Sequence, residues 1–205
     1  GGFEKKAREL FRLDDDLHKI YATISQGDDI MQSAVAEYSG LRLTKSDSWE
    51  TTVCFLISQN NNISRIKKIV SGLHGEKGIF SPQEIMEADL SPLKIGYREP
   101  YLRETAQLIA ENGFSLEKIS KLGLDDGREA LMELPGVGPK VADCIILYGF
   151  GKTNAFPTDV WIKKAMRKYY AIEGEKKIQE FAEEKWGENA GFAQQLLFCK
   201  ARKEP

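Results

Sequence analysis

LPGVGPKVADC, residues 134–144, is the stretch that decides the fold. It lies between two helical patterns, Arg128 to Leu134 and Lys140 to Tyr148, and reads as a helix-hairpin-helix. Gly136 and Gly138 allow a tight turn whose backbone can come close to a phosphate. The amides of that turn lie at the N-terminus of the second helix, where unpaired N–H groups and the positive end of the helix dipole favour an anion. Such a hairpin also occurs in proteins that only hold DNA, so by itself it supports binding more than catalysis.

Chemistry enters with Lys140, in the first turn of the second helix, where the dipole disfavours an added positive charge and helps to supply a free amine. Lys140, Cys144 and Tyr148 follow at i, i+4 and i+8 and form one stripe on a regular helix. The plainer alternative is a lysine that touches phosphate and a cysteine that belongs to the core. Downstream, Lys152 to Asp159 carries Pro157 and is predicted to run extended, a strut that ends on a carboxylate. A carboxylate aimed in this way can stabilise a sugar with oxocarbenium character. Asp159 can also cap the helix that begins at Val160, and the two roles are compatible.

Helical periodicity extends outward from the hairpin to both ends of the chain, as in Phe3 to Leu13, Asp28 to Tyr38, Trp49 to Ile57, Ile63 to Leu73 and Arg98 to Asn112. Further helices are predicted at Ser115 to Leu122, Val160 to Tyr170, Glu175 to Trp186 and Ala190 to Arg202. Ser81-Pro82-Gln83-Glu84 has the N-cap, first-position proline and capping-box glutamate of a helix start. Asn62 is placed to cap the helix at Ile63. No strand or internal repeat stands out, so the expected class is all-α. Two helical subdomains are expected to flank a DNA-binding cleft: residues 1–46 with 139–205, and 47–138.

The 205 residues carry a formal net charge of −2, which excludes a bulk polycation while permitting a local basic face at Lys163, Lys164, Arg167 and Lys168 or at Lys200, Arg202 and Lys203. Most such runs are solvated helix faces. No apolar run approaches the ~18 residues of a membrane span, so no membrane partner is expected. Cys54, Cys144 and Cys199 form no CxxC pair, and neither a disulfide framework nor a zinc or iron-sulfur site is expected. Reduced thiols of a cytosolic protein fit this pattern. Gly1-Gly2 without methionine reads as a trimmed start.

LPGVGPKVADC and FPTDVW, with SQNNNISRI upstream and GFAQQLLF near the end, together resemble the 8-oxoguanine DNA glycosylase/lyase family, from about Phe11 to about Arg202. The resemblance implies the helix-hairpin-helix glycosylase fold. It implies Lys140 as the nucleophile on the anomeric carbon and Asp159 as the group that stabilises positive charge on the sugar. Gln194 would read the Watson–Crick edge of a flipped base whose ring Cys144 and Phe198 sandwich, with Tyr148 beside it. The i, i+4 spacing of Gln194 and Phe198 independently puts both on one helix face. Asn60 would enter the gap left by that base, Arg65 and Arg98 would read the orphaned cytosine, and Tyr97 would wedge the stack. Carbonyls of Met132, Leu134 and Val137 would hold a monovalent cation, with no other cofactor and no iron-sulfur cluster.

Two departures stand out. The histidine usual two residues after the aspartate is Trp161 here. The β-rich N-terminal domain of longer members is not expected in this sequence.

The resemblance implies excision of 8-oxoguanine from duplex DNA, preferably opposite cytosine, through a Schiff base at Lys140 and β-elimination. A monofunctional damaged-purine glycosylase and a non-catalytic DNA-binding hairpin are the alternatives. A monomer is expected, acting in the nucleoid and cytoplasm of a prokaryote or otherwise in the nucleus.

Overall fold

The computed structural model describes residues 2–76 and 78–203. The chain divides into two compact units, Gly1–Ser46 with Phe150–Pro205, and Asp47–Gly149.

The first unit contains α1 (Gly2–Leu10), α2 (Leu17–Ser25) and α3 (Asp29–Glu37) from the start of the chain. The second is built from α4 (Ser48–Ser58), α5 (Ile63–Gly72), α6 (Pro82–Glu87), α7 (Arg98–Ala110), α8 (Leu116–Ser120), α9 (Leu124–Met132) and α10 (Pro139–Ile145). A π-helical turn, Ile146–Phe150, continues α10. The first unit is then completed by α11 (Val160–Tyr170), α12 (Glu175–Trp186) and α13 (Ala190–Lys203).

Side chains set most of these starts. Asp16, Asp28, Asp47, Asn62, Ser115 and Asp159 each accept a backbone N–H from the first turn of the helix that follows. Ser81 and Glu84 close the full capping box, with Pro82 at the first helical position. Helix α2 is not among the segments that periodicity singles out; Asp16 starts it, and the buried Tyr21 and Ile24 fix its inner side.

The expectation of no strands needs correction. His74–Gly75 and Gly78–Ile79 pair antiparallel as a two-residue ladder. A pairing this short has no alternation for a sequence pattern to detect.

In the second unit, Val53 and Ile57 of α4, Ile69 of α5, Ile85 of α6 and Leu102 and Ala106 of α7 close one core with Leu73, Leu90 and Ile95. In the first, α13 packs on α11, α3 and α12, burying Phe192, Ala193, Leu196 and Leu197. Beside it Phe156, Tyr170, Phe181 and Trp186 form a ring cluster with centroids 5.1–5.7 Å apart. The boundary read from the sequence after residue 138 cuts through the hairpin, whereas α10 packs against α4 and α9 and keeps 139–149 with the central unit.

Candidate active site

The hairpin between α9 and α10 turns at Pro135-Gly136. Leu134 O accepts the Val137 N–H at 3.0 Å, and Gly136 has φ +75°, so the turn is of type II with proline and glycine at its two central positions. The glycines differ in kind. A Cβ on Gly136 would stand 2.4 Å from the Tyr101 ring, so packing and conformation both exclude a side chain. A Cβ on Gly138 would meet nothing within 4 Å, and φ is an ordinary −98°. Nothing inside the fold requires glycine at 138.

The hairpin helices are clamped by charge. Arg128 of α9 donates from Nε to Asp143 of α10 at 2.7 Å, and the Asp143 side chain is only 2% exposed. Arg128 also reaches Asp125 at 2.7 Å. Burial works against the Arg128 charge, but Asp143 and Asp125 outweigh it and hold the guanidinium pKa above its ordinary value.

Lys140 is half-buried on α10, with Nζ 5.3 Å from the centre of the Phe55 ring. Tyr148 stacks on the same ring at 5.9 Å. Phe55 of α4 therefore brings Lys140 and Tyr148 together, a role without a local sequence signal. From Ile146 the chain winds as π rather than α. Cys144 is buried, 4% exposed.

In the other unit, Asp159 ends the irregular segment after Gly151 and begins α11. Its Oδ1 accepts the N–H groups of Trp161 and Ile162 at 2.9 and 2.8 Å. The cap fixes one carboxylate oxygen in direction. Gln194 of α13 is buried and donates from Nε2 to Pro157 O at 3.1 Å, two residues before Asp159. Its Oε1 is buried with no hydrogen-bond partner among the described residues. Phe198, one turn on, is half-buried, with the Arg202 guanidinium 5.6 Å from its ring. Trp161 carries Lys164 Nζ 4.8 Å from its ring.

The turn after α4 presents Asn60, exposed and in the left-handed region at φ +45°, which asparagine tolerates better than most residues. Asn61 donates back to Ile57 O, and Asn62 caps α5 as expected. Arg65 is exposed and spends one donor on Lys94 O at 2.7 Å.

Arg98 departs from its sequence reading. It is 3% exposed, and its guanidinium donates to Gln59 O, to Asn60 O at 2.8 Å and to Ile95 O at 3.3 Å. In this conformation it braces the Asn60 turn and is not available to a base. Tyr97, 52% exposed, lies against that guanidinium at 4.3 Å, with its hydroxyl donating to Gln59 O at 3.3 Å.

Among the described residues no three His, Cys, Asp or Glu side chains cluster as a metal site, and no helix is long and apolar enough to cross a membrane.

Residues 53–188 match the family described as HhH-GPD superfamily base excision DNA repair protein, and residues 2–52 match the 8-oxoguanine DNA glycosylase N-terminal domain. That second stretch holds α1, α2, α3 and the start of α4, with no strand among its described residues. A probable N-glycosylase/DNA lyase of Methanothermobacter thermautotrophicus is 45% identical over 60% of this chain and 39% of its own length. The N-glycosylase/DNA lyase of Saccharomyces cerevisiae is 31% identical over 94% of this chain and 65% of its own. The chain thus spans less than two thirds of these curated relatives. Among solved structures, the Clostridium acetobutylicum 8-oxoguanine glycosylase/lyase, in complex with double-stranded DNA containing cytosine opposite 8-oxoG, matches with a TM-score of 0.89 and 34% identity. That match covers 98% of this chain and 75% of that one.

Proposed function

As the chain belongs to the 8-oxoguanine DNA glycosylase/lyase family of the HhH-GPD superfamily, we infer that it excises 8-oxoguanine from duplex DNA and then cleaves the strand. The observation that carries this reading is Gln194. It offers a buried, unpaired carbonyl oxygen on the helix face that also bears Phe198, while its amide nitrogen is anchored two residues before Asp159. An unpaired buried acceptor is costly unless something supplies a donor. The Watson–Crick edge of a guanine-type base supplies two, N1–H and N2–H, and Phe198 offers a ring face for stacking.

The target nucleotide leaves the stack, and Asn60, presented by its left-handed turn, fills the gap with Tyr97 as wedge. The Lys140 amine attacks the anomeric carbon as the bond to the base breaks. Asp159 stabilises the positive charge that develops on the sugar, and its second oxygen is the one left to do so after capping. The C1′–O4′ bond then opens, the ring oxygen taking up the proton that the nitrogen gives up, so that the amine becomes a protonated imine, and loss of the C2′ proton expels the 3′ phosphate by β-elimination. Cys144 and Tyr148 line the base pocket beside Lys140. Arg65 supplies the preference for cytosine opposite the lesion, since its exposed guanidinium can donate to cytosine acceptors.

The Gly138 amide and the first turn of α10 bind backbone phosphate. Carbonyls of Met132, Leu134 and Val137 assist by holding a monovalent cation; Leu134 O already takes one N–H and retains a second lone pair. The protein works as a monomer without other cofactors, where genomic DNA resides: the nucleoid of a prokaryote or otherwise the nucleus.

The test is incubation with 8-oxoguanine·cytosine duplex followed by a denaturing gel. A strand break without alkali is expected. A break that needs alkali would reduce the enzyme to a monofunctional glycosylase, and an intact strand after alkali would refute excision.

A further inference from the structure

Ala155, Phe156, Pro157 and Thr158 are buried, yet residues 155–158 belong to no helix or strand. A buried irregular segment has no ladder to satisfy its carbonyls and must find partners elsewhere. Two glutamines on different helices supply them to consecutive carbonyls. Gln179 of α12 donates from Nε2 to Phe156 O at 2.9 Å and to Thr158 Oγ1 at 3.1 Å. The Thr158 hydroxyl in turn donates to Phe156 O at 3.1 Å. Gln194 holds the carbonyl between them, that of Pro157. The last three residues before Asp159 are therefore fixed laterally from α12 and α13, and Asp159 is fixed axially by the N–H groups of α11.

We propose that Gln179 is a positioning residue for the Asp159 carboxylate. It touches neither base nor sugar and acts on the chemistry through the segment that ends on Asp159. This rests on the reading that Asp159 serves base excision. The bond from Gln179 to the Thr158 hydroxyl holds the residue next to Asp159 from α12, a restraint that the α11 cap does not itself supply. Substrate binding and the fold need no such precision, but stabilisation of a developing charge does, since a displacement of the order of an ångström costs up to roughly 100-fold in rate.

Gln179→Met keeps length and bulk and removes the amide, while the Thr158 hydroxyl still satisfies Phe156 O. The variant should melt close to wild type and bind 8-oxoguanine duplex equally well. Its single-turnover excision should fall roughly 10- to 100-fold. Borohydride trapping on duplex that already contains an abasic site needs the Lys140 amine but no departure of a base, and should stay within about twofold. Added to Asp159→Asn, Gln179→Met should cost less than about twofold more, because both act through one group.

Excision at the wild-type rate in Gln179→Met, equal losses in excision and trapping, or an undiminished loss in the Asp159→Asn background would each overturn the proposal alone. A wild-type protein that trapped abasic DNA but excised no base would overturn the reading of Asp159 and this proposal with it.

Discussion

Replacing Asp143 by alanine removes the inner carboxylate of the hairpin clamp. The pair it forms with Arg128 spans 2.7 Å, with side chains 2% and 19% exposed, so little water can take the carboxylate's place. Breaking a buried pair from one side costs about 3–5 kcal/mol, because the remaining charge is left uncompensated. Arg128 keeps Asp125, but that carboxylate is 85% exposed, and such a pair recovers only about 0–1 kcal/mol. The net loss should therefore be about 3 kcal/mol, a fall of roughly 6–12 °C in Tm for a chain of this length. Urea and thermal unfolding followed by circular dichroism measure it. Arg128→Met with Asp143→Leu, which removes both charges and keeps bulk, should recover most of the loss. If Asp143→Ala stays within about 1 kcal/mol of wild type, the clamp is not what joins the hairpin helices.

The two hairpin glycines should separate stability from binding. Gly138→Ala should unfold within about 0.5 kcal/mol of wild type yet bind duplex about tenfold more weakly, while Gly136→Ala should lose at least about 1–3 kcal/mol, as parallel unfolding and fluorescence-anisotropy titrations would establish. Arg65→Ala should flatten the excision preference for cytosine opposite the lesion by about 1–3 kcal/mol in single-turnover rates across four opposite bases. Arg98→Ala should instead lower stability by at least about 2 kcal/mol, because it strips buried carbonyls of their donor. Burial, reinforced by the Glu50 carboxylate, pushes the Cys54 thiol up to about 11 from 9.0. Its contribution to stability is then full below pH 9 and is lost as pH rises through about 11, so Cys54→Ser should make the alkaline decline of the urea midpoint shallower over that range.

The parts of the site legible in the sequence are those encoded by neighbours. Pro135-Gly136 specifies its own turn, Asn62 and Ser81 specify the helices they cap, and Asp159 after a proline-bearing segment specifies both a helix start and a directed carboxylate. What local pattern cannot carry is the use of a side chain by distant backbone. Arg98 sits beside exposed Tyr97 and looks available, but it is consumed by carbonyls 38 and 39 residues away. Phe55 reads as one more apolar residue of α4 until it is found against Lys140 and Tyr148. Gln179 lies in a helix rich in Lys and Glu, where glutamine suggests solvent, and its bonds run 21 and 23 residues back to the strut. The π winding after Ile145 leaves no mark in composition either.

In the proposed reaction the Lys140 amine forms a covalent bond to the sugar of the damaged nucleotide. Borohydride reduction during turnover of an 8-oxoguanine·cytosine duplex, resolved on a denaturing gel, tests it directly, because only an imine is reduced to a stable protein–DNA adduct. Wild-type protein should be trapped, and Lys140→Gln should bind the same duplex without being trapped. Trapping of Lys140→Gln at the wild-type level would contradict the account.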